Sequence, residues 1–171
     1  MENLEIAWLA GTLVGMVLII AENGKLKRVY LDLKGDPEER AREMFPDAKL
    51  SGDSVRQIAE VFKEYFNKRN LTGIHRLDLI DDVDKTPFFH EVYRCLKEVA
   101  PGTTVTYGEL AARAGYPRAA RAVGLAMATN PVPIAIPCHR VVPQAGGLGN
   151  FGGGIHLKKA LLEHEGYIIK T

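Results

Sequence analysis

TLVGMVLIIAENGKLKRVYLDL, residues 12–33, decides how the chain begins to fold. Two segments rich in Val, Ile, Leu and Tyr, residues 12–20 and 26–33, flank Glu22-Asn23-Gly24. An Asn-Gly pair suits a tight hairpin turn, so an antiparallel sheet is predicted at the N-terminal end. Outward from the hairpin, Val55, Ile58, Ala59, Phe62 and Phe66 recur at helical spacing. They predict an amphipathic helix over 54–67, packed on the sheet, with Ser54 as its N-cap. A further strand is predicted over 74–80. The polar run Asp81-Asp82-Val83-Asp84-Lys85-Thr86-Pro87 then places a domain boundary after residue 84, dividing the chain into 1–84 and 85–171.

Beyond that linker the pattern is helical. Phe89, Val92, Cys95, Leu96 and Val99 form one stripe over 88–99, which makes Cys95 a core residue. Two short helices are predicted at 107–114 and 117–129, separated by Gly115-Tyr116, with Pro117 at a first helical position. Such a pair can form a helix-turn-helix. A last helix over 157–165 should stop at Gly166. The fold class is therefore α+β, a sheet with a packed helix followed by a mainly helical domain.

Composition narrows the function. The apolar run over 13–21 is far short of the roughly 20 residues that cross a bilayer, and Glu2 and Glu5 precede it, so neither a membrane segment nor a signal peptide is expected. Cys95 and Cys138, the only cysteines, lie far apart with no CxxC spacing, which argues against a disulfide framework and a zinc finger. A reducing, cytoplasmic location fits. The net charge of +1 hides an asymmetry: residues 1–84 hold 12 Lys and Arg against 16 Asp and Glu, whereas residues 85–171 hold 10 against 5, with no aspartate. A basic half of this kind is an electrostatic footprint for a phosphate backbone.

The chemistry concentrates in Asn130-Pro131-Val132-Pro133-Ile134-Ala135-Ile136, an apolar segment that leads into Pro137-Cys138-His139-Arg140-Val141-Val142. A thiol is mostly protonated at neutral pH, so a nucleophilic cysteine needs a base or a positive charge nearby. His139 and Arg140 are candidates, with a bridging water between Cys138 and His139. Glu165, near the end of the last helix, could orient the imidazole by accepting its second proton. Taken alone, one cysteine beside one histidine favours a buried core pair over a catalytic one.

At these residues the chain resembles the O6-alkylguanine-DNA alkyltransferases, whose signature is Pro-Cys-His-Arg-Val after an Asn-Pro-x-Pro stretch. The resemblance extends in order through 106–111, 121–124, 130–142, 149–153 and 161–166, nearly the whole second half. It implies a ribonuclease-H-like first domain and a winged-helix-like second one. It further implies stoichiometric, irreversible DNA repair, in which Cys138 accepts an alkyl group from O6-alkylguanine, and also from O4-alkylthymine, after base flipping. His139 would act as base through water, Glu165 would orient His139, Asn130 would brace the turn before the cysteine, and Tyr107 would donate to N3 of guanine. Val141, Phe151, Gly152 and Met127 would line the substrate pocket. No cofactor and no metal are implied.

The partner implied is double-stranded DNA, bound by a monomer through the minor groove with little sequence preference. Arg121 would enter the base stack, and Tyr107, Gly108, Tyr116, Ala119 and Ala122 would contact the duplex. A helix is about 10 to 12 Å across and the minor groove about 6 Å wide, so an alanine-rich face helps the approach. Lys158 and Lys159 are expected at the surface, and the glycines over 146–154 as a pliable pocket wall. Many family members carry Tyr-Ser where this chain has Phe151-Gly152, which leaves the size of the accepted alkyl group open. Three rival classes are distinguishable: an alkyltransferase-like binding protein would lack the acceptor cysteine, so the presence of Cys138 argues against it; a cysteine hydrolase would turn over repeatedly; and a helix-turn-helix regulator would prefer a sequence.

Overall fold

A computed structural model describes residues 3–170. The chain forms two compact units, residues 1–80 and 81–171, so the division falls at the start of the polar run rather than after it.

The first unit is built on a four-stranded sheet of order β3-β2-β1-β4. The strands are β1 (Leu4–Thr12), β2 (Gly15–Glu22), β3 (Lys25–Leu33) and β4 (Lys49–Leu50). The Asn23-Gly24 turn joins β2 to β3, and both residues take positive φ, 50° and 81°, as a type I′ hairpin turn requires. The sheet is mixed: β1, β2 and β3 pair antiparallel, but β4 lies parallel to β1, pairing with Glu5 and Ile6. The hairpin's first strand also begins later than expected, at Gly15, because Thr12 closes β1 and residues 13–14 form a turn.

Central strand β2 is buried from Met16 to Ala21, and alternation sends its side chains to both faces. Leu18 and Ile20 join Ile6 and Ala41 in one cluster, where α1 (Pro37–Met44) packs. Val17, Ile19 and Ala21 face the other way, toward the buried stripe Val55, Ile58, Ala59, Phe62 and Tyr65 of α2 (Asp53–Phe66). Ser54 is not the N-cap of α2; Gly52 is. The Ser54 hydroxyl and the Val55 amide both donate to the buried carboxylate of Glu5, at 2.6 and 2.9 Å, so a strand residue serves the helix end instead. Residues 74–80 do not form a strand. A 3-10 turn spans Gly73–Arg76, and only a bridge between Leu26 and Leu79 follows.

The second unit contains α3 (Pro87–Lys97), β5 (Val105–Thr106), α4 (Tyr107–Arg113), α5 (Ala120–Ala128), β6 (Val141–Val142) and α6 (Ile155–His164). Helices α3, α4 and α5 pack on one another. Residues 117–118 turn and Ala119 caps α5, so Pro117 precedes the helix by three residues instead of starting it. Cys95 is buried on α3, its thiol donating to the Arg113 carbonyl at 3.4 Å. No helix among the described residues is long and apolar enough to cross a membrane.

Candidate active site

The second unit assembles its site at the parallel contact of β5 with β6. A capping box fixes where α4 begins: Glu109 N donates to Thr106 Oγ1 at 3.1 Å, and Thr106 N donates to Glu109 Oε2 at 3.0 Å. Tyr107 is therefore the first residue of α4, directly after the strand that pairs with the segment following the cysteine.

Cys138 opens a short 3-10 turn, Cys138–Arg140, at the end of the buried segment 132–136. Two features give that segment its shape. Asn130 Nδ2 donates to the Ile136 carbonyl at 2.9 Å while its Oδ1 accepts from Val132 N at 3.0 Å, closing the loop on itself. Ile134 sits at φ 73°, a left-handed conformation that a β-branched residue adopts only under constraint. Its side chain is fully buried, so packing holds the backbone in place.

Four ionisable side chains besides the thiol are buried here: His139, Arg140, Lys158 and Glu165. His139 Nε2 lies 3.0 Å from Glu165 Oε1. That separation suits an ion pair, although the direction is off the best hydrogen-bond line, and Nδ1 has no protein partner. Glu165 also receives a two-pronged contact from Arg140, Nε to Oε1 at 2.9 Å and Nη2 to Oε2 at 2.6 Å, while Arg140 Nη1 donates to the Val99 carbonyl at 2.7 Å. Close backbone packing helps place this carboxylate: a Cβ on Gly102, which has φ 80°, would come within 2.9 Å of the Glu165 carbonyl oxygen.

The electrostatics follow from burial. Burial pushes the Cys138 thiol up, against the pull of a hydrogen bond from Asn130 and the charge of Lys158, so the resting cysteine is protonated. Burial pushes His139 down, against the opposing effect of Glu165, so its imidazole is neutral at neutral pH and free to take a proton. Burial alone would raise Glu165, but the hydrogen bonds from Arg140, with His139 facing the same carboxylate, outweigh it and hold the carboxyl well below the usual range. The Tyr107 hydroxyl is raised by burial and by the nearby thiol, which keeps it a donor.

Two expectations are corrected. Arg140 does not serve the thiol, because its guanidinium is committed to Glu165 and Val99. Lys158 is not a surface charge. It is 1% exposed, donates to the Val141 carbonyl at 2.6 Å, and its pKa falls to about 8 through burial, with the Cys138 charge opposing. Lys158 is the cation whose charge the cysteine feels, and the sequence carried a signal for it: it shares the buried face of α6 with Leu157, Leu161 and Leu162, where a solvated lysine has no place.

The remaining candidates are arranged as follows. Val141 is fully buried beside the cysteine turn, Met127 and Phe151 are half-buried, and Gly152 is exposed. On the outside, Arg121 and Ala122 are exposed on α5, and Ala119 and Gly108 are half-buried. Tyr116 is partly exposed and lies edge-on to Phe88 with ring centroids 4.9 Å apart, which gives it a packing role as well. A cleft of about 560 Å³ lies along β1 and the end of α2 in the first unit. It has no cysteine or histidine in its wall and shares no residue with the cysteine cluster.

Known proteins give this arrangement its context. Residues 87–167 match the family described as 6-O-methylguanine DNA methyltransferase, DNA binding domain. A methylated-DNA–protein-cysteine methyltransferase from Salmonella typhimurium is 48% identical over 121 residues, covering 71% of this chain and 69% of that protein. The fold aligns with the O6-methylguanine-DNA methyltransferase of Pyrococcus kodakaraensis at a TM-score of 0.70 and 30% identity, covering 95% of this chain and 99% of the other. It aligns with the Mycobacterium tuberculosis OGT, solved in complex with DNA, at 0.72 and 27% identity, covering 95% and 92%. With a thiol, an imidazole and a paired carboxylate buried together within the residues that the family model matches, the chain belongs to the methylated-DNA–protein-cysteine methyltransferase family.

Proposed function

We propose that this protein repairs DNA directly, by moving the alkyl group of O6-alkylguanine onto Cys138. The observation that carries the reading is a buried thiol next in sequence to a buried imidazole whose Nε2 lies 3.0 Å from the Glu165 carboxylate; burial favours the neutral form of both the thiol and the ring. A thiol that is protonated at rest must lose its proton as it reacts, and a neutral histidine can receive it. His139 Nδ1, which has no protein partner, is the nitrogen available to a bridging water; Glu165 stabilises the ring as it becomes charged. Sγ of Cys138 then bonds to the alkyl carbon, the carbon–O6 bond breaks, and its electron pair passes to the base. As the base leaves, Tyr107 gives its proton to N3, so guanine departs as a neutral species, and the tyrosine regains a proton through solvent as the charged His139 gives its own up. Lys158 favours the thiolate through its charge. A thioether has no hydrolytic exit here, so each molecule acts once.

The lesion must leave the base stack to reach a buried sulfur, at a cost of a few kcal/mol. Arg121, exposed near the start of α5, fills the gap, and the small residues Ala119, Ala122 and Gly124 let the helix approach the minor groove without reading sequence. Gly108 and Tyr116 flank the same approach, and Val141, Met127, Phe151 and Gly152 wall the pocket. The second unit thus carries both binding and chemistry in a winged-helix-like arrangement, and the sheet order of the first supports a ribonuclease-H-like one. The protein works as a monomer, and two free cysteines suit the reducing cytoplasm.

The reading is tested by stoichiometry. Duplex DNA carrying O6-methylguanine is titrated with protein and repaired guanine is counted. Repair should stop at one lesion per molecule, and Cys138→Ser should repair none while still binding DNA. Many lesions repaired per molecule would point to a hydrolase and refute the proposal.

A further inference from the structure

Leu125 projects from the outer face of α5 with 58% of its surface exposed. At 100° per residue it lies about 40° around the helix from Arg121 and one turn, roughly 6 Å, further along. Apart from Arg121, its neighbours on that face are small: Ala122, Ala128 and Thr129 are exposed, and a Cβ placed on Gly124 would meet nothing within 4 Å. A single long apolar side chain thus rises from a face that is otherwise thin, next to the cation that must enter the duplex.

We infer that Leu125 is a DNA-contact residue that packs on the deoxyribose wall of the minor groove, one helical turn from Arg121. The inference rests on the proposed role of α5. If Arg121 reaches the base stack, a side chain a turn away on nearly the same bearing must meet the groove wall. That wall offers apolar sugar edges between the phosphate rows, and leucine is suited to the former. Charge favours the same occupant, because Arg113, Arg118 and Arg121 are all exposed on or beside α4 and α5. A contact of this kind gives duplex affinity a part that salt does not screen, unlike phosphate contacts.

The test measures affinity for a duplex containing O6-methylguanine across a salt series, for the full-length protein and for Leu125→Ala, Leu125→Gln and Leu125→Arg, with a melting curve for each. Leu125→Ala and Leu125→Gln should bind about three- to tenfold more weakly, as loss of part of a leucine's apolar burial implies, with the slope of log affinity against log salt unchanged. Leu125→Arg should steepen that slope by about 0.9, the effect of one added phosphate contact. Unchanged affinity in both Leu125→Ala and Leu125→Gln overturns the inference, as does a change in oligomeric state with affinity for DNA intact, which would make Leu125 a protein contact. Arg121→Ala is measured alongside. If it is impaired while the Leu125 variants are not, only this inference falls; if none of them is impaired, the assignment of α5 falls with it.

Discussion

The two units treat buried charge in opposite ways. In the first, Glu5 is the one charged side chain buried among the described residues, and the Ser54 hydroxyl and Val55 amide answer it at a helix end. Its carboxyl is held below the ordinary range chiefly by the Ser54 hydrogen bond, against burial. That is a structural use of charge. In the second, His139, Arg140, Lys158 and Glu165 are buried together around a thiol, and one imidazole nitrogen has no protein partner. A stability-driven core does not accumulate four ionisable groups, because desolvation costs more than pairing returns. The contrast supports the proposal that the second unit carries its cluster for chemistry.

Cutting each arrangement should expose the difference, and the largest effect is expected at Arg140. Arg140→Ala leaves the buried Glu165 without its main partner and should cost about 3 to 5 kcal/mol of stability. Glu5→Gln keeps most of a helix-end contact and should cost about 1 to 2 kcal/mol. Denaturant unfolding of both variants checks the order, and equal losses would erase the contrast.

Next in size is the response to acid. Glu165 is held below its ordinary value of 4.5, so the stability it contributes is complete above that pH and is lost as pH falls below it. His139 is held below 6.5, so the unfolded chain takes up its proton first and stability drops as pH falls through that value. Both act in one unit. Hydrogen exchange between pH 7 and pH 4 should therefore show amides of residues 81–170 losing protection before those of the sheet, and simultaneous loss would contradict the assignment.

Smaller and more specific is Arg121→Ala, which should slow repair of duplex DNA about tenfold or more while slowing reaction with a free O6-alkylguanine base much less, since the free base needs no flipping. Equal slowing would remove Arg121 from that role. Smallest is Lys158→Met, which takes a positive charge from the thiol's surroundings. The pH profile of transfer should move upward, with stability little changed because a desolvated cation is replaced by an apolar chain of similar size. An unmoved profile would mean that Lys158 serves only the Val141 carbonyl.

Much of this was legible in the order of residues, and the exceptions have physical causes. The Asn23-Gly24 turn, the stripe of α2 and the Pro137-Cys138-His139 presentation all rest on local chemistry, and local chemistry is what a sequence displays. Strand β1 went unrecognised because Glu5 interrupts its apolar face, and only a partner 49 positions away makes that glutamate acceptable. Helix α1 buries only Ala41 and so displays no stripe. The parallel pairing of β4 involves two residues and no turn signal. In the site, the hydrogen bonds of Arg140 to Glu165 span 25 positions and are invisible to spacing, whereas Lys158 stood within a leucine stripe that periodicity alone exposes.

The central claim is that Cys138, in its cluster of buried charge, is the acceptor. The direct measurement is the mass of the protein after incubation with duplex DNA containing O6-methylguanine, followed by peptide mapping. One methyl increment per molecule, carried by the peptide containing Cys138 and absent from that containing Cys95, is the predicted result. An unchanged mass, or an increment on Cys95, would contradict it.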